Sequence, residues 1–169
     1  MVNEIADLLK LHGAVEFGDF ILASGARSTY YLDIKSAVTS PRVLGAIGNT
    51  IAAMATFDVV AGVAVGGVPI AVATALASGR PYAIIRSADK GHGKKERIIG
   101  DIKGKNVLLV EDVTTSGGSA LYGIDELRAA GAVADMVITV VDRESGATEK
   151  MKERGISLLS LVKASELLR

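Results

Sequence analysis

Two adjacent carboxylates stand next to a segment rich in hydroxyl groups and glycine. Glu111 and Asp112 follow the apolar run 107–110 and precede residues 114–119, Thr-Thr-Ser-Gly-Gly-Ser. Hydroxyl groups, together with the free N–H groups at the start of a following helix, can bind a phosphate. Carboxylates one short loop away can accept hydrogen bonds from vicinal hydroxyls. The segment therefore predicts a site for a ribose 5-phosphate, although a strand, a turn and a capped helix without any ligand would use similar residues.

Gly66 and Gly67 form a second candidate anion site. They join an apolar strand to an apolar helix that has Pro69 in its first turn. Because glycine has no side chain, the backbone N–H groups there could approach a pyrophosphate closely. Close packing of the helix on the strand explains the same glycines equally well, so the residues alone leave both interpretations open.

A cationic segment, residues 86–100, lies between two predicted strands. It contains Arg86, Lys90 and His92, several further basic residues and three glycines. The segment is longer than a minimal connection, so it could close over an anion. A solvated charged loop with no function is the alternative.

Composition excludes several classes of protein. Basic and acidic residues number 19 each, so no net charge steers the chain to nucleic acid or to an anionic membrane. Cysteine is absent, which excludes disulfides and thiolate metal sites and is consistent with a reducing cytoplasm. The first residues do not resemble a signal peptide, and no apolar segment is long enough to span a membrane. The motifs of nucleoside triphosphatases and dinucleotide-binding proteins are missing.

Strand and helix patterns alternate along the chain, which predicts an α/β fold with a mainly parallel sheet. The length indicates a single domain, 1–169, in which residues 1–35 lie outside the main sheet. There we expect a helix over residues 3–12 and a hairpin of residues 17–22 and 28–33. Five core strands are predicted near residues 58–65, 81–86, 105–111, 133–141 and 156–161. Helices are predicted near residues 41–56, 67–78, 117–130, 146–154 and 163–168. Ligands bind beyond the carboxyl ends of parallel strands, where Glu111, Asp112, Arg86 and Arg143 all fall.

Four segments carry a resemblance to a known family. Residues 110–119 resemble the 5-phosphoribosyl 1-diphosphate (PRPP) motif of the type I phosphoribosyltransferases. Arg86, Lys90, His92 and Gly93 are similar in order and spacing to the catalytic loop of the orotate-specific members. Residues 20–35 resemble the N-terminal hood of those members, and residues 142–147 resemble their Asp-Arg-x-x-Gly-Ala element. The resemblance implies a five-stranded, mainly parallel sheet flanked by helices, with a small hood at residues 1–35.

The resemblance also implies a reaction and a set of site residues. The 5-phosphoribosyl group would pass from PRPP to orotate, with Mg²⁺ as cofactor and orotidine 5′-monophosphate and pyrophosphate as products. Catalytic roles are implied for Lys90, His92 and Asp112, and orotate binding for Thr115, Arg143 and Tyr31. The implied PRPP-binding residues are Gly66, Gly67, Arg86, Lys90, His92, Glu111, Asp112, Val113, Thr114, Thr115, Ser116, Gly117, Gly118 and Ser119.

The same resemblance implies how the cofactor is held and how the chain assembles. Mg²⁺ would be held mainly by substrate and water, so no protein metal ligands are predicted. A cytoplasmic homodimer is implied, in which the catalytic loop of one subunit reaches the site of the other. Neither nucleic acid nor a membrane is an implied partner.

Three positions depart from the family pattern, and two other functions stay open. Ser87 stands where a second Lys is common, Ala23 where some relatives have Lys, and Leu32 where a second aromatic is found.

The alternative functions are a phosphoribosyltransferase for a purine or uracil, and a non-catalytic PRPP-sensing regulator that binds nucleic acid. For Tyr30 and Tyr31, packing of a hood strand is an alternative to stacking on a base, and strand alternation lets only one of them face a given side.

Overall fold

The computed structural model describes residues 2–22, 25–87 and 96–169, without the side chains of residues 2 and 3. Helices and strands alternate after an N-terminal hairpin. The helices are α1 (Val2–Leu11), α2 (Ile34–Ala37), α3 (Pro41–Met54), α4 (Gly67–Ser78), α5 (Gly118–Ala129), α6 (Ala147–Glu153) and α7 (Ala164–Leu167). The strands are β1 (Val15–Ile21), β2 (Arg27–Leu32), β3 (Val59–Val63), β4 (Tyr82–Ile85), β5 (Ile98–Ile99), β6 (Asn106–Thr114), β7 (Val133–Asp142) and β8 (Ser157–Lys163).

The main sheet has six strands in the order β5-β4-β3-β6-β7-β8. The five predicted core strands pair in parallel, which confirms the predicted α/β class. The sixth strand, β5, was not predicted, and it pairs antiparallel with β4 at the edge of the sheet. A strand of two residues is too short to display a period in the sequence, so only the folded chain reveals it.

Both faces of the sheet are covered by helices, as the unbroken apolar runs of its strands require. All five positions of β3 are buried. One buried cluster lies on the face covered by α1, α3 and α4, and a second lies on the face covered by α5 and α6.

Glycines let several of these elements approach closely. A Cβ added at Gly62 of β3 would lie 2.3 Å from the carbonyl oxygen of Gly67, at the start of α4. In α3, a Cβ added at Gly48 would lie 2.7 Å from the backbone of Ala73 in α4. The first turn of α4 is therefore pressed against the end of β3, and α3 crosses α4 at short range.

The hood is an antiparallel pair, β1 and β2, separate from the main sheet. The hairpin begins at Val15, two residues before its predicted start, and its register shifts between Phe17 and Phe20. After the hood the chain forms the short helix α2, which was not predicted. The Asp33 carboxylate caps this helix by accepting a hydrogen bond from the Ser36 N–H at 3.1 Å. Buried Ile34 and Ala37 attach α2 to the core.

None of the helices in the described part of the chain combines the length and apolar character needed to cross a membrane.

Candidate active site

The sheet order reverses direction between β3 and β6, which are neighbours although β4 and β5 lie between them in sequence. From β3 the chain winds to one edge of the sheet, and from β6 it winds to the other. In open α/β sheets the crevice at such a point, outside the carboxyl ends of the strands, is where ligands bind. The predicted sugar-phosphate and pyrophosphate segments follow β6 and β3, respectively, so the fold brings them to this one crevice.

β6 extends past the two acids to Thr114, so the prediction that the strand ends at 111 was wrong. β-branched Val113 and Thr114 continue the extended backbone, and the polar side chains only mark the end of the apolar run. Glu111 therefore faces α5, where Ser119 Oγ donates to its Oε1 at 3.3 Å. Asp112 faces the opposite side, towards Gly66 and α2.

The carboxylate of Asp112 lies directly against the backbone of Gly66. A Cβ added at Gly66 would be 2.4 Å from Asp112 Oδ2 and 2.7 Å from Oδ1. Gly67 is different, because its Cβ would meet the Val110 carbonyl oxygen at 2.8 Å. Packing of α4 on the sheet thus explains Gly67, whereas Gly66 is required by its contact with an acid of the site.

Lys35 reaches the same carboxylate from α2. Its Nζ lies 2.9 Å from Asp112 Oδ2, with the lysine side chain 63% exposed and the aspartate side chain 9% exposed. Hydrogen bonding to Asp112 raises the pKa of Lys35, and the nearby Tyr31 and Glu111 act in the same direction. No role for Lys35 was predicted from the sequence. Its position as the last residue of the segment 20–35, which resembles the hood, was the only available signal.

Glu111 is almost fully buried, with 4% of its surface exposed. Burial raises the pKa of Glu111 to about 8, and the neighbouring charge of Asp112 adds to the effect. The Ser119 hydroxyl and the charge of Lys35 lower the pKa of Glu111, but they do not cancel the increase. Near neutral pH this carboxyl group is therefore largely protonated in the free protein.

The segment after β6 forms a compact turn into α5. Gly117 has a φ of +85°, which glycine adopts readily, and its C=O accepts from Leu121 N–H in the first turn of α5. No side chain caps α5, so the first N–H groups of the helix remain available to an anion. Thr115 and Ser116 are exposed beside them, together with Gly118.

Two other members of the predicted phosphate segment are more enclosed. Thr114 is buried, and its Oγ1 has no hydrogen-bond partner among the described residues. Val113 is half-buried against the core.

Arg143 lies next to this turn because its backbone N–H donates to the Thr114 carbonyl oxygen at 2.9 Å. Its guanidinium group stacks over the Tyr30 ring, with Cζ 5.0 Å from the centroid. Tyr31 points to the other side of β2, where it is 45% exposed and its ring centroid lies 5.6 Å from that of Phe20. The hood thus supplies one tyrosine to Arg143 and leaves the other accessible.

Arg86 follows β4 and is exposed. Its backbone N–H donates to the Arg97 carbonyl oxygen at 2.8 Å, and its own carbonyl oxygen accepts from the Tyr122 hydroxyl at 2.9 Å. These bonds connect Arg86 to Arg97 within the cationic segment and to Tyr122 of α5. Lys90, His92 and Gly93 lie outside the described residues, as does Ala23.

The sequence matches the family described as "Phosphoribosyl transferase domain" over residues 42–160, more than half of the chain. A crevice of this construction at the switch point of a parallel sheet, together with that match, places the chain in the phosphoribosyl transferase family. The chain is 68% identical over 168 residues to the orotate phosphoribosyltransferase of Methanoculleus marisnigri, with 99% of each chain covered. At this identity and coverage it belongs to the orotate phosphoribosyltransferases, which confirms the resemblance seen in the sequence.

Two solved structures show the same fold. The orotate phosphoribosyltransferase from Aeropyrum pernix is 34% identical, with a TM-score of 0.88 over 97% of this chain and 96% of the other. The Mycobacterium tuberculosis enzyme in complex with PRPP is 30% identical, with a TM-score of 0.81 over 99% of both chains.

Proposed function

We propose that this chain transfers the 5-phosphoribosyl group of PRPP to orotate, forming orotidine 5′-monophosphate and pyrophosphate. The observation that carries the proposal is the position of the acidic pair: Asp112 lies against the Gly66 backbone, and Glu111 faces α5, whose start is uncapped. A diol-binding acidic pair between two anion sites matches the chemistry of PRPP, which carries phosphate groups at both ends of a ribose. Similarity to orotate phosphoribosyltransferases over 99% of the chain supports the choice of orotate.

The reaction is a substitution at the anomeric carbon. The bond from that carbon to the pyrophosphate oxygen breaks, and a bond to a ring nitrogen of orotate forms. Positive charge develops on the ribose and negative charge on the departing pyrophosphate, so both ends require electrostatic stabilisation. Glu111 and Asp112 would accept hydrogen bonds from the ribose hydroxyls and stabilise the positive charge when ionised.

The substrate's two phosphate ends would be held by different elements. The turn at residues 114–119 and the first N–H groups of α5 would hold the 5-phosphate, which anchors the sugar while its anomeric carbon moves. The backbone at Gly66 and Gly67 would lie against the pyrophosphate. Lys90, assisted by Arg86 and His92, would neutralise or protonate the leaving group.

Arg143 would bind the carboxylate of orotate, because a guanidinium group can form two parallel hydrogen bonds to a carboxylate. Stacking on Tyr30 holds this side chain in place before orotate arrives. Thr115 would orient the base, and exposed Tyr31 would stack on it.

Mg²⁺ fits the donors of this crevice as an ion shared with the substrate. Asp112 offers carboxylate oxygens, and no group of three or more potential metal ligands occurs in the part of the chain that the structure describes. One carboxylate together with substrate oxygens and water is an arrangement that Mg²⁺ commonly accepts. When bound, the ion would stabilise negative charge on the pyrophosphate oxygens.

We further infer a homodimer in the cytoplasm. The family resemblance supports the dimer, with the loop around Lys90 reaching the neighbouring site. The cytoplasmic location is inferred because PRPP is a multiply ionised substrate that does not cross a membrane unaided.

The test is the ultraviolet absorbance of orotate in the presence of PRPP and Mg²⁺, with pyrophosphate measured in parallel. We expect orotate consumption that requires PRPP and releases one pyrophosphate per orotate. Asp112→Asn should abolish most of the rate, whereas Asp135→Asn, at an exposed position of β7, should not. Faster reaction with uracil, adenine or hypoxanthine than with orotate would contradict the proposal.

A further inference from the structure

The pyrophosphate side of the crevice presents an electrostatic problem. The segment from Ala64 to Pro69 carries no basic side chain. The Asp112 carboxylate packs against Gly66 within this segment. A pyrophosphate placed there would meet a carboxylate at short range, and two negative charges at such distances repel strongly in a partly buried site. Besides Mg²⁺ and the cations proposed for the leaving group, a cation next to Asp112 would reduce this repulsion where it is strongest.

Lys35 is a described cation in direct contact with Asp112. Its ammonium group lies 2.9 Å from Asp112 Oδ2, the same oxygen that a Cβ added at Gly66 would meet at 2.4 Å. The lysine therefore lies at the boundary between the ribose side and the pyrophosphate side of the crevice. An ammonium group has three N–H donors, and the ion pair with Asp112 occupies at most one of them. The side chain is 63% exposed, so the other donors are open to a ligand.

Stability alone does not account for this arrangement. Because the lysine is 63% exposed, solvent screens the pair and a long side chain must be ordered, so its net contribution to folding is limited even though Asp112 is buried. Here the fold provides a separate device to place the lysine: Asp33 caps α2, and Ile34 and Ala37 are buried, which leaves Lys35 directed at Asp112. Such positioning is expected of a group that acts on a ligand.

We propose that Lys35 is a substrate-binding residue whose ammonium group contacts the pyrophosphate of PRPP beside Gly66 and screens it from Asp112. This inference rests on the proposed function. In the free protein the ammonium group pairs with Asp112; with PRPP bound it bridges Asp112 and the pyrophosphate. A merely structural Lys35 would neutralise Asp112 and make no contact with the ligand.

The experiment measures calorimetric dissociation constants of three ligands for wild type, Lys35→Gln and Lys35→Arg, all with Mg²⁺. The ligands are PRPP, inorganic pyrophosphate and ribose 5-phosphate, which keeps the diol but lacks the pyrophosphate. We expect Lys35→Gln to weaken PRPP and pyrophosphate binding by about ten- to a hundredfold, the usual range for a lost charge-assisted hydrogen bond. Ribose 5-phosphate binding should change by less than about threefold, and Lys35→Arg should recover most of the loss.

Lys10→Gln is the matched control, because Lys10 is an exposed lysine in the last turn of α1. It should bind all three ligands as the wild type does. Unchanged PRPP affinity in folded Lys35→Gln, or an equal change for PRPP and ribose 5-phosphate, overturns the proposal. Thermal melting verifies the fold, and Lys35→Arg, which retains the charge, supplies the second variant if Lys35→Gln melts early.

The outcome is separable from the test of the proposed function. If the wild type binds PRPP in a Lys35-dependent manner but consumes another base, the assignment of orotate fails and the role of Lys35 stands. If the wild type consumes orotate and Lys35→Gln binds PRPP normally, the role of Lys35 fails and the function stands.

Discussion

Glu111 combines two conflicting requirements. It is buried beside another carboxylate, so its proton is retained up to a pKa of about 8 in the free protein. The proposed reaction needs negative charge at this position when the ribose becomes cationic. Binding of cationic groups and of the ribose diol would favour loss of this proton, so ligand binding and ionisation of Glu111 are linked.

This burial predicts a specific dependence of stability on pH. Below about pH 4.5 Glu111 is protonated in both folded and unfolded chains. As the pH rises towards 8 the unfolded chain loses this proton first, so the stability that the protonated group contributes is progressively lost, by up to about 1.4 kcal/mol per pH unit. We expect Glu111→Gln, which cannot ionise, to become more stable relative to wild type between pH 5 and pH 8.

Urea unfolding at several pH values measures this difference. Glu16→Gln is the control, because Glu16 is exposed in the hood, and it should follow the wild type at every pH. Parallel pH profiles for Glu111→Gln and wild type would show that Glu111 ionises normally in the folded protein.

Arg143 is expected to determine affinity for the base and not for PRPP. Its contacts are with Tyr30 of the hood and with the Thr114 carbonyl oxygen, so Arg143→Ala removes the guanidinium group without disturbing a buried cluster. The KM for orotate should rise by about ten- to a hundredfold, the value of a lost bidentate carboxylate contact, with PRPP binding retained. Steady-state kinetics measure this, with Arg154→Ala, an exposed arginine that pairs with Asp125, as the control. An unchanged orotate KM would contradict the assignment.

At the scale of elements, the crevice depends on how closely α4 is held to the sheet and to α3. Gly66, at the start of α4, can contact Asp112 only because the helix begins directly over the end of β3. Packing at this distance leaves no room for side chains at the crossing points. The positions of the two anion sites relative to each other are therefore set by helix packing.

Two glycines of α3 test the close packing of α3 on α4 directly, because replacing each by alanine should change the stability in opposite directions. Gly48→Ala places a Cβ 2.7 Å from the Ala73 backbone and should destabilise the fold by about 1–3 kcal/mol. Gly45 has open space around it, so Gly45→Ala should stabilise α3 by about 0.5–1 kcal/mol. Urea or thermal unfolding measures both changes. Equal effects of the two substitutions would mean that α3 and α4 are not in close contact.

At the scale of the whole molecule, the proposed dimer makes the active site a shared structure. If the loop containing Lys90 serves the neighbouring subunit, each active site takes Lys90 from one subunit and Asp112 from the other. Lys90→Ala and Asp112→Asn then inactivate a site from different subunits. A mixed dimer of the two inactive variants would then contain one intact site. Random mixing makes half of the dimers mixed, so about a quarter of the wild-type activity should return.

Sedimentation velocity first establishes whether the mass is twice the 17.5 kDa of the chain. The two variants are then unfolded, mixed, refolded and assayed, with each variant refolded alone as the control. A dimer whose mixture stays inactive would place the loop over its own subunit's site. A monomer would refute the proposed assembly altogether.

Patterns local in sequence were enough to predict the α/β class, the five parallel strands and the glycine turn into α5. Buried strands read as apolar runs, amphipathic helices repeat with their own period, and the turn into α5 needs glycine and hydroxyl residues at consecutive positions. Each of these signals is contained within a few adjacent residues. The family resemblance relied on the same segments.

Contacts between distant segments were decided only by the tertiary structure. Lys35 and Asp112 are far apart in sequence, and no periodicity indicates that α2 delivers one to the other. The raised pKa of Glu111 likewise comes from burial, and burial is a property of the packed chain. The sequence by itself determined the fold class and the segments proposed to bind phosphate and diol, whereas the charge balance around those segments required the strands and helices to be assembled.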